Sequence, residues 1–560
     1  MHDMETSGDA SETHYVEPNE PMAPTTSNDA SKTKPRKALL DRFITLACAE
    51  DEEEDMRAEL QYCQKRGILY TDLESKEEEI QSLVAAHCGL SNPSLIRIPK
   101  MVDPVNNKLV WLHGSFNVCI PVYINGDNNN SFAAGSLPAK MALRVPLPYK
   151  IGEEGFPGNA EEKVRSEAVT YIWIGKNCPD IPIPKLRGFG VTGGLSFFDP
   201  KSLSFWRKIK FRVRHLFWRL CRGSEISNYI PQKRTPLFNY NYLLRDWIED
   251  ENVEMLSKTF TMSHNTGSQI QNLYRARIPQ PRIGSWAIDN DGYISLVNRP
   301  MLCHFHQLEN LNIPTVPRDL TYSNADSFYL DILATHDNRL RHQGNAVFSE
   351  EDARAQAKDL VLMRASLHRY ANRTLGDGPF VMQLTDMHDR NIFVDKEWSI
   401  KYLIDLEWAC SLPLGDLLPP FWLGGKDGVD QIIGSDYERF KACYDRFVEI
   451  FGKEEVGTPP LQYGGDIYSR AATMKSALED GRYWYLNALQ TPKGLFNLFR
   501  THIEPLHDSN VPKESVRNAV SAFWTPGVTS FVGQKLQDFA QYRQEVRDIF
   551  NSKKSGRAYL

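Results

Sequence analysis

Hydrophobic and polar positions change their spacing along the chain, and the first change occurs near its N-terminus. Residues 1–36 are rich in Ser, Thr, Pro and acidic residues and contain no apolar periodicity, which predicts a disordered tail. Over residues 37–97, apolar positions recur every three or four residues, as in EEEIQSLVAAHCG. This spacing predicts a helical segment.

The spacing of apolar positions shortens in residues 98–250, where runs such as NVCIPVYI and AKMALRVPL indicate antiparallel strands. One helix is expected within this part, because NAEEKVRSEAVTYIWIGKN returns to helical spacing. Residues 251–560 are mostly helical in pattern, interrupted by the hairpin IGSWAIDNDGYISL with its Asp-Gly turn. The pattern therefore predicts an α+β protein in which a small β-rich unit precedes a large helical unit. A cleft between the two units is the expected binding site.

One further interruption, Val381–Ala409, places three polar residues between short apolar runs. Asp386, Asn391 and Asp405 lie in VMQLTDMHDRNIFVDKEWSIKYLIDLEWA, five and then fourteen residues apart. Polar side chains at strand ends are held rigidly beside a cleft, which is typical of a functional site. An ordinary hairpin with turn carboxylates would give the same pattern, so the spacing alone leaves both interpretations open.

Composition narrows the class of protein. The chain has 560 residues, 41% hydrophobic and 24% charged, which indicates a globular protein of two or three structural units. Its net charge of −6 argues against broad nucleic-acid affinity, so no nucleic-acid partner is expected. The sequence contains neither an apolar run long enough to cross a bilayer nor an N-terminal signal segment, which predicts a cytoplasmic location.

Cysteine and histidine positions give no sign of a metal centre or a disulfide framework. The nine cysteines contain no C-x-x-C pair, which is typical of a protein from a reducing compartment. His304 and His306 form an H-x-H without a carboxylate or cysteine at ligand spacing. We expect these histidines to be structural.

A basic amphipathic segment, Lys201–Arg222, lies in an insertion near residues 195–235. It contains eight Lys or Arg residues and no acid, and its apolar residues recur at three- and four-residue steps. One interpretation is a helix that packs its aromatic stripe on the β-rich unit. The other is attachment to an anionic membrane surface or to an acidic partner. The sequence leaves both open.

The order of these features resembles the aminoglycoside phosphotransferase-like family, which has the kinase-like fold. That family carries H-G-D-x-x-x-x-N followed by I-D-x-E, and this chain has LTDMHDRN followed by IDLE. The segments PRIGSWAIDNDG, PRDLTYSNADSFYLDIL and LIDLEWACSLP are similar to the fungal phosphotransferase-domain proteins. The resemblance extends from about Ile98 to His507, and it implies a two-lobe fold.

The resemblance also implies ATP and Mg²⁺ as cofactors and a role for each matching residue. Asp386 matches the catalytic aspartate, and Asn391 and Asp405 match the Mg²⁺ ligands. Glu407 is either a residue that supports the metal site or a surface carboxylate. The residues that match nucleotide-binding positions are those of the phosphate-covering loop, the cation with its helix partner, and the hinge: Gly114, Ser115, Phe116, Asn117, Arg144, Glu167, Leu244 and Asp246.

Departures from the family pattern bear on the function. Leu384 and Thr385 precede Asp386 in place of the family's His and Gly, and Arg144 stands where the family has lysine. The matching phosphate loop lacks a G-x-G-x-x-G, and the chain lacks D-F-G and A-P-E segments, which argues against a protein kinase. The expected function is ATP- and Mg²⁺-dependent transfer of the γ-phosphate to a hydroxyl of a small molecule. The alternative is a pseudokinase that binds nucleotide or acts as a scaffold without turnover. The acceptor and the oligomeric state are not encoded in any recognisable motif.

Overall fold

The computed structural model describes residues 35–37, 42–125, 137–209, 211, 213, 225–234, 238–259, 278–507 and 512–552. Within these ranges the α-helices are α1 Leu46–Asp51, α2 Met56–Glu59, α3 Tyr62–Ser75, α4 Glu77–Cys88, α5 Asn159–Asn177, α6 Leu256–Thr259, α7 Cys303–Glu309, α8 Ala325–His342, α9 Glu350–Tyr370, α10 Ser435–Val456, α11 Arg470–Glu479, α12 Arg482–Gln490, α13 Leu495–Leu498, α14 Lys513–Ser521 and α15 Val528–Asn551. None of the helices in this part of the chain is both long and apolar enough to span a membrane.

Most of the strands are short. They are β1 Arg36–Lys37, β2 Phe43–Ile44, β3 Ile96–Arg97, β4 Leu112–His113, β5 Asn117–Ile124, β6 Lys140–Pro146, β7 Leu186–Val191, β8 Leu195–Phe198, β9 Glu225–Ile226, β10 Ile230–Lys233, β11 Tyr242–Asp246, β12 Glu254–Met255, β13 Pro279–Gln280, β14 Ser285–Ile288, β15 Tyr293–Asn298, β16 Phe380–Leu384, β17 Ile392–Val394, β18 Ile400–Leu403, β19 Ala409–Pro413, β20 Leu461–Tyr463 and β21 Asp466–Tyr468. Every pairing between them is antiparallel.

An eight-stranded antiparallel sheet dominates the first half of the chain, in the order β10-β8-β7-β11-β6-β5-β3, with β4 paired to β5. Side chains alternate between the two faces of a strand, so Leu143 and Val145 of β6 lie on one face and Arg144 lies on the other. Helices α3 and α4 cover the first face, where Leu73 and Val84 belong to the same buried cluster as Leu143. The sheet therefore has one mainly apolar face and one face that carries the charge of Arg144.

Helix α5 packs against the second face and joins the sheet to the helical part of the chain. Val164 and Ala168 of α5 are buried in one continuous core with Phe189 and Leu243 of the sheet. The same core includes residues of the long helices α8 and α9 and of α10 to α12. This packing fixes α5 directly beneath the charged face of the sheet.

The described residues form three three-stranded antiparallel sheets besides the large one, and two of them frame the Val381–Ala409 segment. Strand β16 pairs with β13 and β19, and β17 pairs with β12 and β18. Asp386 follows β16, Asn391 precedes β17 and Asp405 follows β18. All three polar residues thus lie at strand ends, as the pattern of apolar runs predicts.

The N-terminal segment docks on the C-terminal helix α15. Glu50 receives hydrogen bonds from Arg543 at 2.5 Å and from Arg547 at 2.6 Å. The backbone N–H of Met56 donates to the hydroxyl of Tyr542 at 3.1 Å. Residues of α1, α2 and α15 form a separate small apolar cluster beneath these polar contacts.

The predicted mixture of helices and antiparallel strands is confirmed, including the helix over residues 159–177 and the hairpin with its Asp-Gly turn. The two-lobe, kinase-like arrangement stays a prediction. Strands β12, β13, β20 and β21 were not predicted, because two or three residues are too few to show a strand period. Residues 205–209 are helical as expected. Most of the remaining basic segment and nearly all of the N-terminal tail lie outside the described residues.

Candidate functional site

The charged face of the sheet and one face of α5 meet in a buried polar cluster. Arg144 of β6 and Asn117 of β5 project from the sheet, and both are more than nine-tenths buried. Lys163 and Glu167 lie one helical turn apart on α5 and are 0% and 1% exposed. Four hydrogen-bonding or charged side chains are therefore enclosed between the strand pair and the helix.

Glu407, two residues beyond Asp405, is the centre of this cluster. Its Oε2 accepts hydrogen bonds from Arg144 Nη2 at 2.8 Å, Lys163 Nζ at 2.6 Å and Asn117 Nδ2 at 2.6 Å. Lys163 also donates to Asn117 Oδ1 at 2.7 Å. Glu407 is 3% exposed, so the interpretation as a surface carboxylate is wrong, and its support of a metal site stays a prediction.

Lys163 is the residue that the sequence interpretation missed. Its side chain is fully enclosed, and it shares the helix face of Glu167, four residues further along. A lysine at that position on a helix with an expected inward Glu could have indicated a second cation. The site consequently contains two buried cations, Arg144 and Lys163, where one was expected.

Arg144 connects the cluster to the predicted metal ligand Asp405. Its Nη1 donates to Asp405 Oδ1, and its Nε lies 3.6 Å from Glu167 Oε1. The predicted pairing of Arg144 with Glu167 is thus present, although Asp405 and Glu407 approach the guanidinium more closely. A single guanidinium holds together residues from β6, α5 and the turn after β18.

The electrostatic environment separates the acids of the cluster. Burial favours a higher pKa for Asp405, but the charge and hydrogen bond of Arg144 outweigh burial and hold the pKa below its usual range. Burial raises the pKa of Glu167, and the charge of Glu407 adds to this against the opposing charge of Arg144. Asp405 also has a φ of 56°, a left-handed conformation that is uncommon outside glycine and is maintained by its surroundings.

The loop that carries Asp386 is held by hydrogen bonds of Asn391, His388 and Trp422. Asn391 Nδ2 donates to the backbone oxygen of Asp386 at 3.1 Å. His388 Nδ1 accepts from the backbone N–H of Arg390 at 3.2 Å and so caps the short turn that ends at Asn391. Trp422 Nε1 donates to the backbone oxygen of Met387 at 2.9 Å. These contacts fix the loop that follows Leu384 and Thr385.

Asp386 stands beside this cluster with a carboxyl group that binds a proton unusually well. Burial raises its pKa to about 7, and the nearby charges of Glu407 and Asp405 act in the same direction. A carboxyl group with a pKa close to neutrality can accept and release a proton at physiological pH. This property distinguishes Asp386 from Asp405.

Asn391 and Asp405 meet the requirements of a Mg²⁺ site that also uses phosphate oxygens. The amide N–H of Asn391 is directed to the Asp386 carbonyl, and no hydrogen bond among the described residues reaches its Oδ1. The Asp405 side chain is 36% exposed, and within the same residues Oδ2 has no hydrogen-bond partner. The described chain contains no cluster of three His, Cys, Asp or Glu residues arranged for a metal. Mg²⁺, which needs few protein ligands and retains water and phosphate, fits such a donor set.

Two predicted nucleotide-binding residues lie away from the cluster. Leu244 is fully buried in β11, paired with Leu143 on one side and Gly188 on the other, and its side chain belongs to the apolar face. Asp246 accepts hydrogen bonds from Arg187 at 2.5 and 2.9 Å at the end of the same strand. Their assignment to a hinge that contacts adenine stays a prediction.

The predicted phosphate loop borders a large cavity of about 1480 Å³. Gly114, Ser115 and Phe116 line it together with Asp386. Phe116 packs edge-on against Trp408 with ring centroids 5.0 Å apart, which anchors the loop to the segment that carries Glu407. The cavity exceeds the roughly 300–1,000 Å³ of ordinary ligand pockets, so it has room for a small molecule with several polar groups.

No protein-family model and no curated protein matches the chain. Among solved structures, an ethanolamine kinase from Plasmodium vivax is similar over 78% of this chain and 84% of that chain, with 11% identity and a TM-score of 0.32. A Ralstonia eutropha protein described as a "putative aminoglycoside phosphotransferase" is similar over 80% of this chain and 99% of that chain, with 10% identity and a TM-score of 0.32. These values leave the function of the chain to be argued from its own residues.

Proposed function

We propose that the chain is an ATP- and Mg²⁺-dependent phosphotransferase that transfers the γ-phosphate to a hydroxyl of a small molecule. The observation that supports this proposal is that Asp386, Asn391 and Asp405 lie close together beside the Arg144 cluster. In the two-lobe arrangement that goes with it, the eight-stranded sheet and α5 form the nucleotide-binding lobe, and the helical remainder forms the acceptor lobe.

Asn391 and Asp405 would hold Mg²⁺, which when bound neutralises phosphate charge and orients the phosphates. The charge of Asp405 supports a cation at this place, because, despite burial, Arg144, with Arg245 and Lys163, holds the pKa of its carboxyl below the usual range and keeps it ionised. Arg144 would contribute its guanidinium to the phosphates, as a planar donor of several hydrogen bonds.

Asp386 would receive the proton of the acceptor hydroxyl. Its backbone oxygen is tied to Asn391, so the carboxyl group is kept next to the proposed metal site. Its pKa of about 7 suits a group that must accept a proton at neutral pH. Asp386 also lines the large cavity, which gives an acceptor a route to the carboxyl group.

The test is ADP release by purified protein with Mg²⁺-ATP and pooled hydroxylated metabolites, for wild type and Asp386→Asn. Since a general base contributes about 100- to 10,000-fold, the variant should lose activity by that factor while its ATP affinity is retained. Asp389→Asn changes the same residue type in the same loop and should keep wild-type activity. Equal turnover by wild type and Asp386→Asn would remove Asp386 from catalysis.

A second candidate, nucleotide binding without turnover, is favoured by one observation. The Arg144 guanidinium contacts Asp405 and Glu407 and lies near Glu167, so it is already engaged by carboxylates. A nucleotide would have to compete with Asp405 for this cation. Mg²⁺-ATP binding without ADP release from any acceptor would favour this candidate over the phosphotransferase.

A further inference from the structure

Arg339 of α8 is a buried cation without an acidic partner. It is 7% exposed and lines the same cavity as Asp386. Its Nε donates to Gln343 Oε1 at 3.0 Å. In the described part of the chain, no carboxylate oxygen lies within ion-pair distance of its guanidinium, and its two terminal nitrogens have no hydrogen-bond partner.

Other cations of the cavity wall differ from Arg339, because they already have partners. Lys493 forms an ion pair with Glu54. Lys150 lies 3.8 Å from Glu59 and also above the ring of Tyr62. Glu54 and Glu59 on this wall are therefore engaged by Lys493 and Lys150, whereas the terminal nitrogens of Arg339 remain available as donors.

Enclosing an arginine without a partner is unfavourable, because the charge loses water and gains no counter-charge. Burial accordingly lowers the pKa of Arg339, while the more distant Glu53, Asp352 and Glu54 act against this effect. A guanidinium fork that faces a cavity matches the two oxygens of a carboxylate or phosphate. An anionic ligand would supply the missing counter-charge.

We propose that Arg339 binds the anionic group of the acceptor, which is a hydroxylated small molecule carrying a carboxylate or a phosphate. This inference rests on the proposed function, because it takes the cavity as the acceptor site. The anion lies at Arg339 and the reacting hydroxyl lies toward Asp386, within one cavity. The amides of Gln307, Asn487 and Gln490 line the same cavity and offer further hydrogen bonds to such a molecule.

Binding can be tested without nucleotide, metal or turnover. The full chain is titrated with inorganic phosphate and separately with glycerate, and affinity is read by calorimetry and by the rise in melting temperature. Arg339→Gln should weaken anion binding by about 10- to 100-fold, as expected for a lost charge-assisted hydrogen-bond pair. Arg341→Gln is the matched control, since this exposed arginine of the same helix stacks on Trp524 and does not line the cavity.

Arg339→Lys provides a second variant that keeps the charge and loses the planar fork. This variant should weaken anion binding by about 10-fold. It becomes the test of the anion site if Arg339→Gln does not fold. Stronger binding of phosphate than of glycerate would identify a phosphate ester as the acceptor, and the reverse would identify a carboxylic acid. Absence of anion binding to wild type, or equal binding by wild type and the available Arg339 variant, would overturn the inference.

Activity separates this inference from the proposed function. ADP release is compared with glycerol, glycerate and glycerol 3-phosphate as acceptors. ADP release from neutral glycerol alone, unaffected by Arg339→Gln, would overturn the anion site and leave the phosphotransferase intact. Anion binding that depends on Arg339, without ADP release from any acceptor, would support the site and count against turnover.

Discussion

Replacing Lys163 with methionine removes a buried cation and keeps most of its aliphatic volume. Nζ of Lys163 lies 2.6 Å from Glu407 Oε2, in a pair whose side chains are 0% and 4% exposed. The variant leaves Glu407 with Arg144 at 2.8 Å and Asn117 at 2.6 Å as its remaining partners. Breaking a buried pair leaves a charge that water cannot reach, which typically destabilises a protein by about 3–5 kcal/mol. The retained partners place the expected loss near the lower end, at about 3 kcal/mol.

An exposed pair of the same length provides the control. Lys441 Nζ also lies 2.6 Å from a carboxylate, Asp445 Oδ2, but these side chains are 46% and 55% exposed. Lys441→Met should leave the free energy of unfolding almost unchanged, because water solvates both charges. The two ion pairs then differ in burial and have the same N–O distance.

The assay is urea unfolding of the full chain, followed by tryptophan fluorescence. Lys163→Met should lower the urea midpoint without changing the slope of the transition. The double variant Lys163→Met/Glu407→Gln should recover part of the loss, because it removes the charge that lacks its partner. A loss no larger than that of Lys441→Met, or strictly additive effects in the double variant, would refute the argument.

Three further outcomes are expected. Asp405→Ala should abolish the Mg²⁺-dependent part of the ATP-induced rise in melting temperature, and an unchanged rise would exclude Asp405 as a ligand. Burial raises the pKa of Asp416 to about 7 despite its hydrogen bond from Tyr329, so its contribution to stability is complete below pH 4 and is lost as the pH rises to 7. Asp416→Asn should therefore gain stability over wild type, on the order of a few kcal/mol, at pH 8 but not at pH 4; equal differences in urea midpoint at both pH values would contradict this. Gly152→Ala should lower the melting temperature more than Gly527→Ala, because both have φ near +72° but only at Gly152 would the added Cβ meet backbone, 2.6 Å from Glu309. Equal shifts would show that the contact is relieved without cost.

Local pattern was sufficient to predict the elements that carry the site. The helix over residues 159–177 and the strand-end positions of Asp386, Asn391 and Asp405 follow from apolar spacing over short windows. The pairing of Arg144 with Glu167 was implied by the family resemblance and not by local pattern; it is present, at a longer distance than the contacts of Arg144 with the two acids after β18. Features that depend on nearby residues in the sequence could therefore be predicted from it.

Features that depend on residues far apart in the sequence could not be predicted from it. Lys163 and Glu407 are 244 residues apart in the chain, and no local rule connects them. Arg339 lies in the segment HDNRLRH, where it looks like one of several surface charges. Its position on the buried side of α8, seven residues after Ile332, was the available sign that it is enclosed. The pattern of apolar residues does not show which surface each side chain contacts.

The docking of the N-terminal segment on α15 has a consequence for synthesis of the chain on the ribosome. Glu50 and Arg547 are 497 residues apart in the chain, so their contact cannot form until Arg547 has emerged. Glu53 and Glu54, just beyond Glu50, form part of the cavity wall. The side of the wall next to Glu50 therefore gains its contacts with α15 only after residues 543–547 have been synthesised, whichever part of the sheet has folded earlier.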